Sequence, residues 1–179
     1  MSQPAAPDVS LGRLDDLERR IAVLEDQRAI ETLKYRYAAL MDSGYDAEGL
    51  AALFLPEGRW RATGFGDFVG REQIRAFFAA MPRQVSQAQH HVSAPRIELA
   101  PDGGTATGEF YLFCVSRTQH AEASRPERFA TLARYVDRFV KLDGRWYFED
   151  LQADVSTVFR LQTAAPVDPA GTAPHAVPR

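Results

Sequence analysis

The sequence predicts an α+β fold in which helices come first and a run of long antiparallel strands follows. Apolar residues recur at three- and four-residue spacing between Leu14 and Leu40, which is typical of one face of a helix. Four long strand-like segments then fill most of the second half, and turn residues separate them. A chain of 179 residues with 45% hydrophobic content is long enough for one core, so we expect a single domain.

The helical part contains two successive apolar stripes, which are Leu14, Leu17, Ile21 and Leu24, then Ile30, Leu33, Tyr37 and Leu40. The spacing leaves open whether the first stripe is a separate arm or the opening of one long helix. Ser43-Gly44 predicts the end of the second stripe, because glycine suits the left-handed residue that follows a helix. Asp46 is predicted to cap a short helix that runs through Leu53 and Phe54 and is closed by Pro56.

The remaining elements follow from turn residues and alternating patterns. We predict a strand at 58–63, a turn with a short strand at 64–70, a helix at 71–81 and long strands at 87–99, 105–117, 128–140 and 146–155. Asp143-Gly144 is a strong signal for a two-residue hairpin. The string FYLFCV is apolar on both faces, so both are expected to be covered, by a helix on one side and an enclosed pocket on the other.

Composition narrows the function classes. The formal net charge of -3 argues against a nucleic-acid partner, which requires a surplus of Lys and Arg on one face. Cys114 is the only cysteine, so no intrachain disulfide forms, which fits a reducing cytoplasm. No signal peptide or membrane-spanning stretch is expected. Residues 1–10 and 161–179 are rich in Ala and Pro and are predicted to be tails of a domain at 11–160.

Two neighbouring histidines are the first candidates for chemistry. His90 and His91 are adjacent on a predicted strand, so their side chains point to opposite faces and only one enters a pocket. This spacing argues against a metal site, and no nucleotide-binding motif is present, so we expect no cofactor. Asp42 lies in the last turn of its helix, where the helix dipole disfavours an anion. It is either a solvated residue beside a turn or a functional carboxylate.

Each of the other candidate site residues has two interpretations, one functional and one structural. Tyr37 either packs in the core or holds a developing oxyanion. Tyr135 and Asp137 share one strand face, where a carboxyl group between apolar neighbours needs a partner or a raised pKa. An ion pair with Arg134, Arg138 or an arginine on the next strand is the alternative. Trp60 and Phe110 line an aromatic pocket or fill the core, and Cys114 is expected to be a small core residue. If the pocket binds a substrate, the candidate contacts are Tyr135, Asp137, Phe110, Cys114 and Trp60.

Five strings in order resemble the SnoaL-like family of the nuclear transport factor 2-like superfamily. They are RYAALMDSGYDAEGLAALF, FVGREQIRAFF, HHVSAPRIEL, ATGEFYLF and RYVDRFVKLDGRWYF. The resemblance covers about residues 21–155. It implies a cone-shaped, strongly curved antiparallel sheet wrapped around the long N-terminal helix, with a pocket in the concave face.

The resemblance also implies a function. Dehydratases and a dehydrochlorinase of this family are cofactor-free lyases with a His–Asp pair, which falls on His90 and Asp42, with Tyr37 beside them. Phe110 and Cys114 replace a histidine and an acid that two of these enzymes carry. The implied reaction is dehydration, another elimination or a retro-aldol cleavage of a small cyclic or aromatic hydroxylated substrate. A cyclase or isomerase with the same pocket, or a non-catalytic ligand-binding module, are the alternatives. A homo-oligomer is expected, with a trimer favoured over a dimer.

Overall fold

The computed structural model describes residues 9–118 and 127–161. Three helices and a short 3-10 turn are present, which are α1 (Val9–Asp42), α2 (Ala47–Ala51), α3 (Arg71–Ala80) and the turn Met81–Arg83. The strands are β1 (Phe54–Ala62), β2 (Gly66–Val69), β3 (Val85–Leu99), β4 (Thr105–Thr118), β5 (Glu127–Leu142) and β6 (Arg145–Leu161). The predicted element order is therefore confirmed over the described part of the chain.

One curved, unclosed sheet contains all the described strands, in the order β2-β1-β6-β5-β4-β3. The long strands β3 to β6 pair antiparallel with their sequence neighbours, and only β1 lies parallel to its neighbour β6. Helix α1 packs against β3 and contributes one face to the core. The predicted α+β architecture, with a long helix against a curved sheet, is confirmed.

The two N-terminal stripes belong to one continuous helix. Residues 12–25 of α1 are exposed, and burial begins at Ile30 and continues through Leu33, Tyr37 and Met41. The helix ends at Asp42, and Gly44 has the left-handed φ of 98° that its position predicted. The first half of α1 is thus an arm that extends from the body of the domain.

The predicted boundary between α2 and β1 is wrong. Asp46 caps α2 as predicted, and its side chain accepts a hydrogen bond from the Gly49 N–H, but the helix ends at Ala51. Phe54 opens β1 because it pairs with Phe148 of β6. Pro56 lies between Phe54 and Arg59, where the register with β6 shifts, so its missing N–H removes no paired bond from this ladder.

The β5–β6 hairpin is the longest pairing in the sheet. Asp143 and Gly144 both have positive φ, at 48° and 75°, as the predicted two-residue turn requires. Pairing continues to Arg128 opposite Leu161, so β6 extends six residues beyond its predicted end at Val155. Most of the two predicted tails lies outside the described residues.

The outer face of β4 contradicts the prediction that both of its faces are covered. Phe110, Leu112 and Cys114 point inward and are buried, whereas Tyr111 and Phe113 are 59% and 45% exposed. Helix α1 lies on the concave side, so the convex side of β4 has no covering layer within the described residues. No helix in the described part of the chain combines the length and apolar content needed to cross a membrane.

Candidate active site

A cavity of about 110 Å³ lies between the end of α1, helix α3 and the concave face of the sheet. Aromatic and aliphatic side chains form most of its wall, including Tyr37, Met41, Tyr45, Trp60, Phe65, Phe77, Phe78, Leu112 and Tyr135. His90, Cys114, Ser116 and Thr131 supply its polar groups. A small set of polar groups in an apolar cavity is typical of a small-molecule site.

The Asp42 carboxylate holds His90 at two points. Its Oδ1 lies 2.7 Å from His90 Nδ1 and also accepts a hydrogen bond of 3.0 Å from the His90 backbone N–H. Oδ2 accepts from the same N–H at 3.2 Å. Because a carboxylate only accepts, the short contact assigns the ring proton to Nδ1 and leaves Nε2 unprotonated in the neutral ring.

Strand alternation directs His90 into the cavity and His91 away from it. His90 lies opposite Cys114 in the β3–β4 ladder, and both side chains line the cavity. His91 faces outward and stacks on Phe113, with ring centroids 6.1 Å apart. The register shifts of β3 lie between Val85 and Gln87 and between Ser93 and Arg96, and the pairing is regular from Gln87 to Ser93, so His90 keeps its face.

The His90 ring is held in its neutral form. Burial lowers its pKa below the ordinary value of 6.5, and the nearby Lys34 and His91 act in the same direction. The Asp42 hydrogen bond and charge oppose this shift without overcoming it. A neutral imidazole with a free Nε2 is the state that a general base requires near neutral pH.

This geometry predicts the titration of His90. Its pKa should lie below 6.5, and the substitution Asp42→Asn should lower it further, because the carboxylate is the group that favours the imidazolium. NMR titration of the histidine Cε1–H signals measures both values, with His91→Gln assigning the neighbouring signal. A His90 pKa that rises in Asp42→Asn would show that the Asp42 carboxylate does not stabilise the imidazolium. Any activity that uses neutral His90 should fall as the pH drops through this pKa.

Tyr37 and Tyr135 are two of the three tyrosines that line the same cavity as His90. Trp60 Nε1 donates a 2.7 Å hydrogen bond to Tyr37 Oη, so the Tyr37 oxygen has a fixed partner. The Tyr37 and Tyr135 rings meet edge to face at 6.4 Å. Burial raises the pKa of both phenols far above neutral pH, so each keeps its proton and remains a hydrogen-bond donor.

Cys114 lines the cavity but is held as a thiol. Burial raises its pKa to about 11, and the charge of Asp42 adds to that shift. Since the thiolate is the nucleophilic form, this cysteine is suited to contact with a ligand and not to covalent chemistry.

Asp137 and Phe110 do not line the cavity, although the sequence analysis grouped them with the substrate-binding residues. Asp137 is fully buried and accepts a 2.8 Å hydrogen bond from Lys34 Nζ. Of the two alternatives left open, the arginine partner is not found, because Arg134 pairs with Glu109 and Arg138 with Glu149. The prediction of a raised pKa agrees with the structure, since burial raises the pKa of Asp137 to about 6.

Lys34 is the main residue that the sequence analysis missed. It is completely buried, and its Nζ lies 3.2 Å from the centre of the Tyr135 ring, on which it makes a cation–π contact. Its position was detectable, because Lys34 lies four residues after Ile30 and three before Tyr37, on the buried stripe of α1. Tyr45, Phe77 and Phe78 are further cavity residues that were not singled out.

Within residues 9–118 and 127–161, no group of three or more His, Cys, Asp or Glu side chains is arranged to hold a metal ion. The polar groups of the cavity are the His90 imidazole, the Cys114 thiol, the hydroxyls of Ser116 and Thr131 and the phenols of Tyr37, Tyr45 and Tyr135.

Comparisons with known proteins agree with this architecture. The structure resembles a hexachlorocyclohexane dehydrochlorinase, with a TM-score of 0.74 and 17% identity over 84% of this chain and 99% of the other. It also resembles a proposed scytalone dehydratase from Novosphingobium aromaticivorans, with a TM-score of 0.70 and 23% identity over 86% and 99%. A protein with a cystatin-like fold from Nostoc punctiforme is 27% identical over 72% and 89%, with a TM-score of 0.59.

The described residues form an α+β fold with a partly open, mostly apolar cavity on the concave face of a curved sheet. The model of the SnoaL-like domain matches residues 22–152, and the chain therefore belongs to the SnoaL-like family. A search of curated proteins finds no match to this chain.

Proposed function

We propose that the chain is a cofactor-independent lyase that dehydrates a small cyclic or aromatic hydroxylated substrate. The observation that carries the proposal is the Asp42–His90 contact of 2.7 Å beside an aromatic cavity that His90 lines. The structural similarity to a dehydrochlorinase and a proposed scytalone dehydratase supports an elimination in general terms.

The proposed chemistry begins at His90 Nε2. This nitrogen takes a proton from the carbon next to an activating carbonyl, and the C–H electron pair forms the new double bond as the hydroxyl leaves. The imidazolium returns the proton to the leaving hydroxyl, which departs as water. Asp42 stabilises the imidazolium and keeps the proton of the neutral ring on Nδ1.

Tyr37 and Tyr135 would stabilise negative charge that develops on the substrate oxygen. Both are neutral phenols that line the cavity, and the Trp60 hydrogen bond orients the Tyr37 oxygen. Donors placed where charge develops contribute most in a water-poor site. The cavity volume of about 110 Å³ favours a compact, single-ring substrate.

A substrate screen tests the proposal directly. The chain is incubated with single-ring β-hydroxy ketones, hydroxylated cyclohexenones and hydroxylated aromatics, and the formation of a conjugated double bond is followed by ultraviolet absorbance and mass spectrometry. Loss of one water from at least one compound is expected with the wild type and not with His90→Gln, which keeps a polar side chain at the same place. Saturable binding of these compounds without any turnover would favour the ligand-binding alternative.

Activity should also survive removal of metal ions. The proposed steps use only the imidazole, the carboxylate and the phenols, so exhaustive treatment with EDTA is expected to leave kcat unchanged. The measurement is kcat before and after chelation, with metal content checked by mass spectrometry. Activity that disappears and returns only with one added metal would contradict a cofactor-independent mechanism.

A further inference from the structure

The arm of α1 carries an apolar stripe that the described residues leave exposed, distinct from the cavity. Leu14, Leu17, Ile21 and Leu24 are between 43% and 64% exposed, although each is a large aliphatic residue. All four lie on a helix that runs to Asp42 without interruption. The domain match begins at residue 22, so most of this arm precedes it.

The spacing of the four residues fits two successive heptads of a coiled coil. They follow each other at three, four and three residues, which places Leu14 and Ile21 at heptad position a and Leu17 and Leu24 at position d. At about 100° per residue, this stripe lies on nearly the opposite side of α1 from Ile30, which faces the core. The stripe therefore lies on the side of α1 away from its core-facing residues, and Ile21 and Leu24 also border an open groove whose far wall is Arg145 and Trp146.

The charged residues beside the apolar stripe are complementary to those of a second copy of this chain. Positions g are Arg13 and Arg20, and positions e are Glu18 and Glu25. In a parallel pair each g residue faces the e residue five positions later on the other helix, so Arg13 meets Glu18 and Arg20 meets Glu25 of the second copy. None of these four side chains forms an ion pair with a described residue of its own chain.

The same charges disfavour the antiparallel arrangement. Antiparallel helices place g beside g and e beside e, which would bring arginine to arginine and glutamate to glutamate along the seam. We propose that the arm forms a parallel, in-register coiled coil with the arm of a second copy of this chain. Leucine at both d positions, with Ile21 at one a position, favours two strands.

Disulfide trapping in the full chain tests the contact and its direction. Leu14→Cys and Leu24→Cys are made separately, oxidised under mild conditions and analysed by non-reducing electrophoresis. Each variant is expected to form a homodimer with itself, because in-register parallel arms bring identical positions within disulfide reach. Arg19→Cys, at the outward position f, and the wild type, whose Cys114 is buried, are the controls that should stay uncrosslinked.

Antiparallel arms would give a different crosslinking pattern. Residues 14 and 24 are roughly 15 Å apart along the helix, so antiparallel arms would link Leu14→Cys to Leu24→Cys in a mixture and neither variant to itself. That result would overturn the parallel arrangement. Absence of any crosslink at a concentration where light scattering shows an oligomer would place the interface elsewhere and overturn the arm contact.

Reversing the flanking charges distinguishes pairing between two arms from simple damage to the helix. Arg13→Glu with Arg20→Glu makes all four flanking positions acidic, and Glu18→Arg with Glu25→Arg makes them all basic. With Leu24→Cys as reporter, each set alone should crosslink several-fold less than the parent, and the mixture should recover crosslinking between the two different chains. If the mixture stays as low as the separate variants, the flanking charges do not pair between copies.

Discussion

His90→Ala is expected to lower kcat on the substrate found by screening by a hundredfold to ten-thousandfold, with the fold unchanged. The magnitude is that of losing a general base, about 10² to 10⁴ in rate. His90 is the imidazole that lines the cavity and is held by Asp42. Steady-state kinetics measure the loss, and circular dichroism checks the fold.

His91→Ala is the matched control. It removes the same side chain from the next residue of β3, but His91 faces outward against Phe113 and does not touch the cavity. Its effect should be confined to a small loss of stability. Loss of turnover in His91→Ala with normal turnover in His90→Ala would contradict the strand register on which the proposed mechanism depends.

Asp42 is expected to act as a positioning residue through His90. Asp42→Asn keeps the shape of the side chain but allows the wrong ring tautomer, so kcat should fall with little change in KM. The double variant should be hardly slower than His90→Ala alone, because the two residues act as a unit. Additive losses in the double variant would mean that Asp42 contributes independently of His90.

Lys34→Met is expected to have the largest effect on stability. Lys34 and Asp137 are both fully buried and pair at 2.8 Å, so removing the lysine leaves a carboxylate without its partner in the core. Breaking a buried pair in this way typically costs about 3–5 kcal/mol. Urea denaturation of the purified variant measures the change in the free energy of unfolding.

Two further variants separate charge from packing. Lys34→Met with Asp137→Leu removes both charges, and such replacements are often neutral or stabilising by about 1–4 kcal/mol. Arg138 lies next to Asp137 on β5, and Arg138→Met is the control variant. It breaks an exposed pair with Glu149 and should change the free energy of unfolding by less than about 1 kcal/mol. If the double variant is as unstable as Lys34→Met, the loss comes from packing and not from the unpaired charge.

The pair should also give the stability a characteristic pH dependence. Burial raises the pKa of Asp137 from 3.8 to about 6, so its folded state favours the protonated form, and this contribution to stability is lost as the pH rises from about 4 to about 6. Burial lowers the pKa of Lys34 from 10.5 to about 8, so the corresponding contribution is lost as the pH falls through that range. The double variant should gain most over the wild type between about pH 6 and 8.

Local patterns in the sequence were sufficient to predict the elements. The Asp46 cap, the Gly44 helix end and the Asp143-Gly144 turn depend on residues next to one another, and each is present as predicted. The α2–β1 boundary was predicted wrongly because Phe54 joins β1 by pairing with Phe148, which is far away in the chain. A pairing of that kind leaves no local signal.

The two halves of the site illustrate the same division. Alternation along β3 determined that His90 and His91 take opposite faces, and the family resemblance selected His90 and Asp42. Only the tertiary structure brings them within 2.7 Å across 48 residues of sequence, because the end of α1 lies against β3.

The burial of Lys34 shows most clearly what the sequence could not predict, since a lysine is normally expected in solvent. Its burial depends on Asp137, 103 residues later, and on the Tyr135 ring beneath its ammonium group, and only the folded chain brings these groups together.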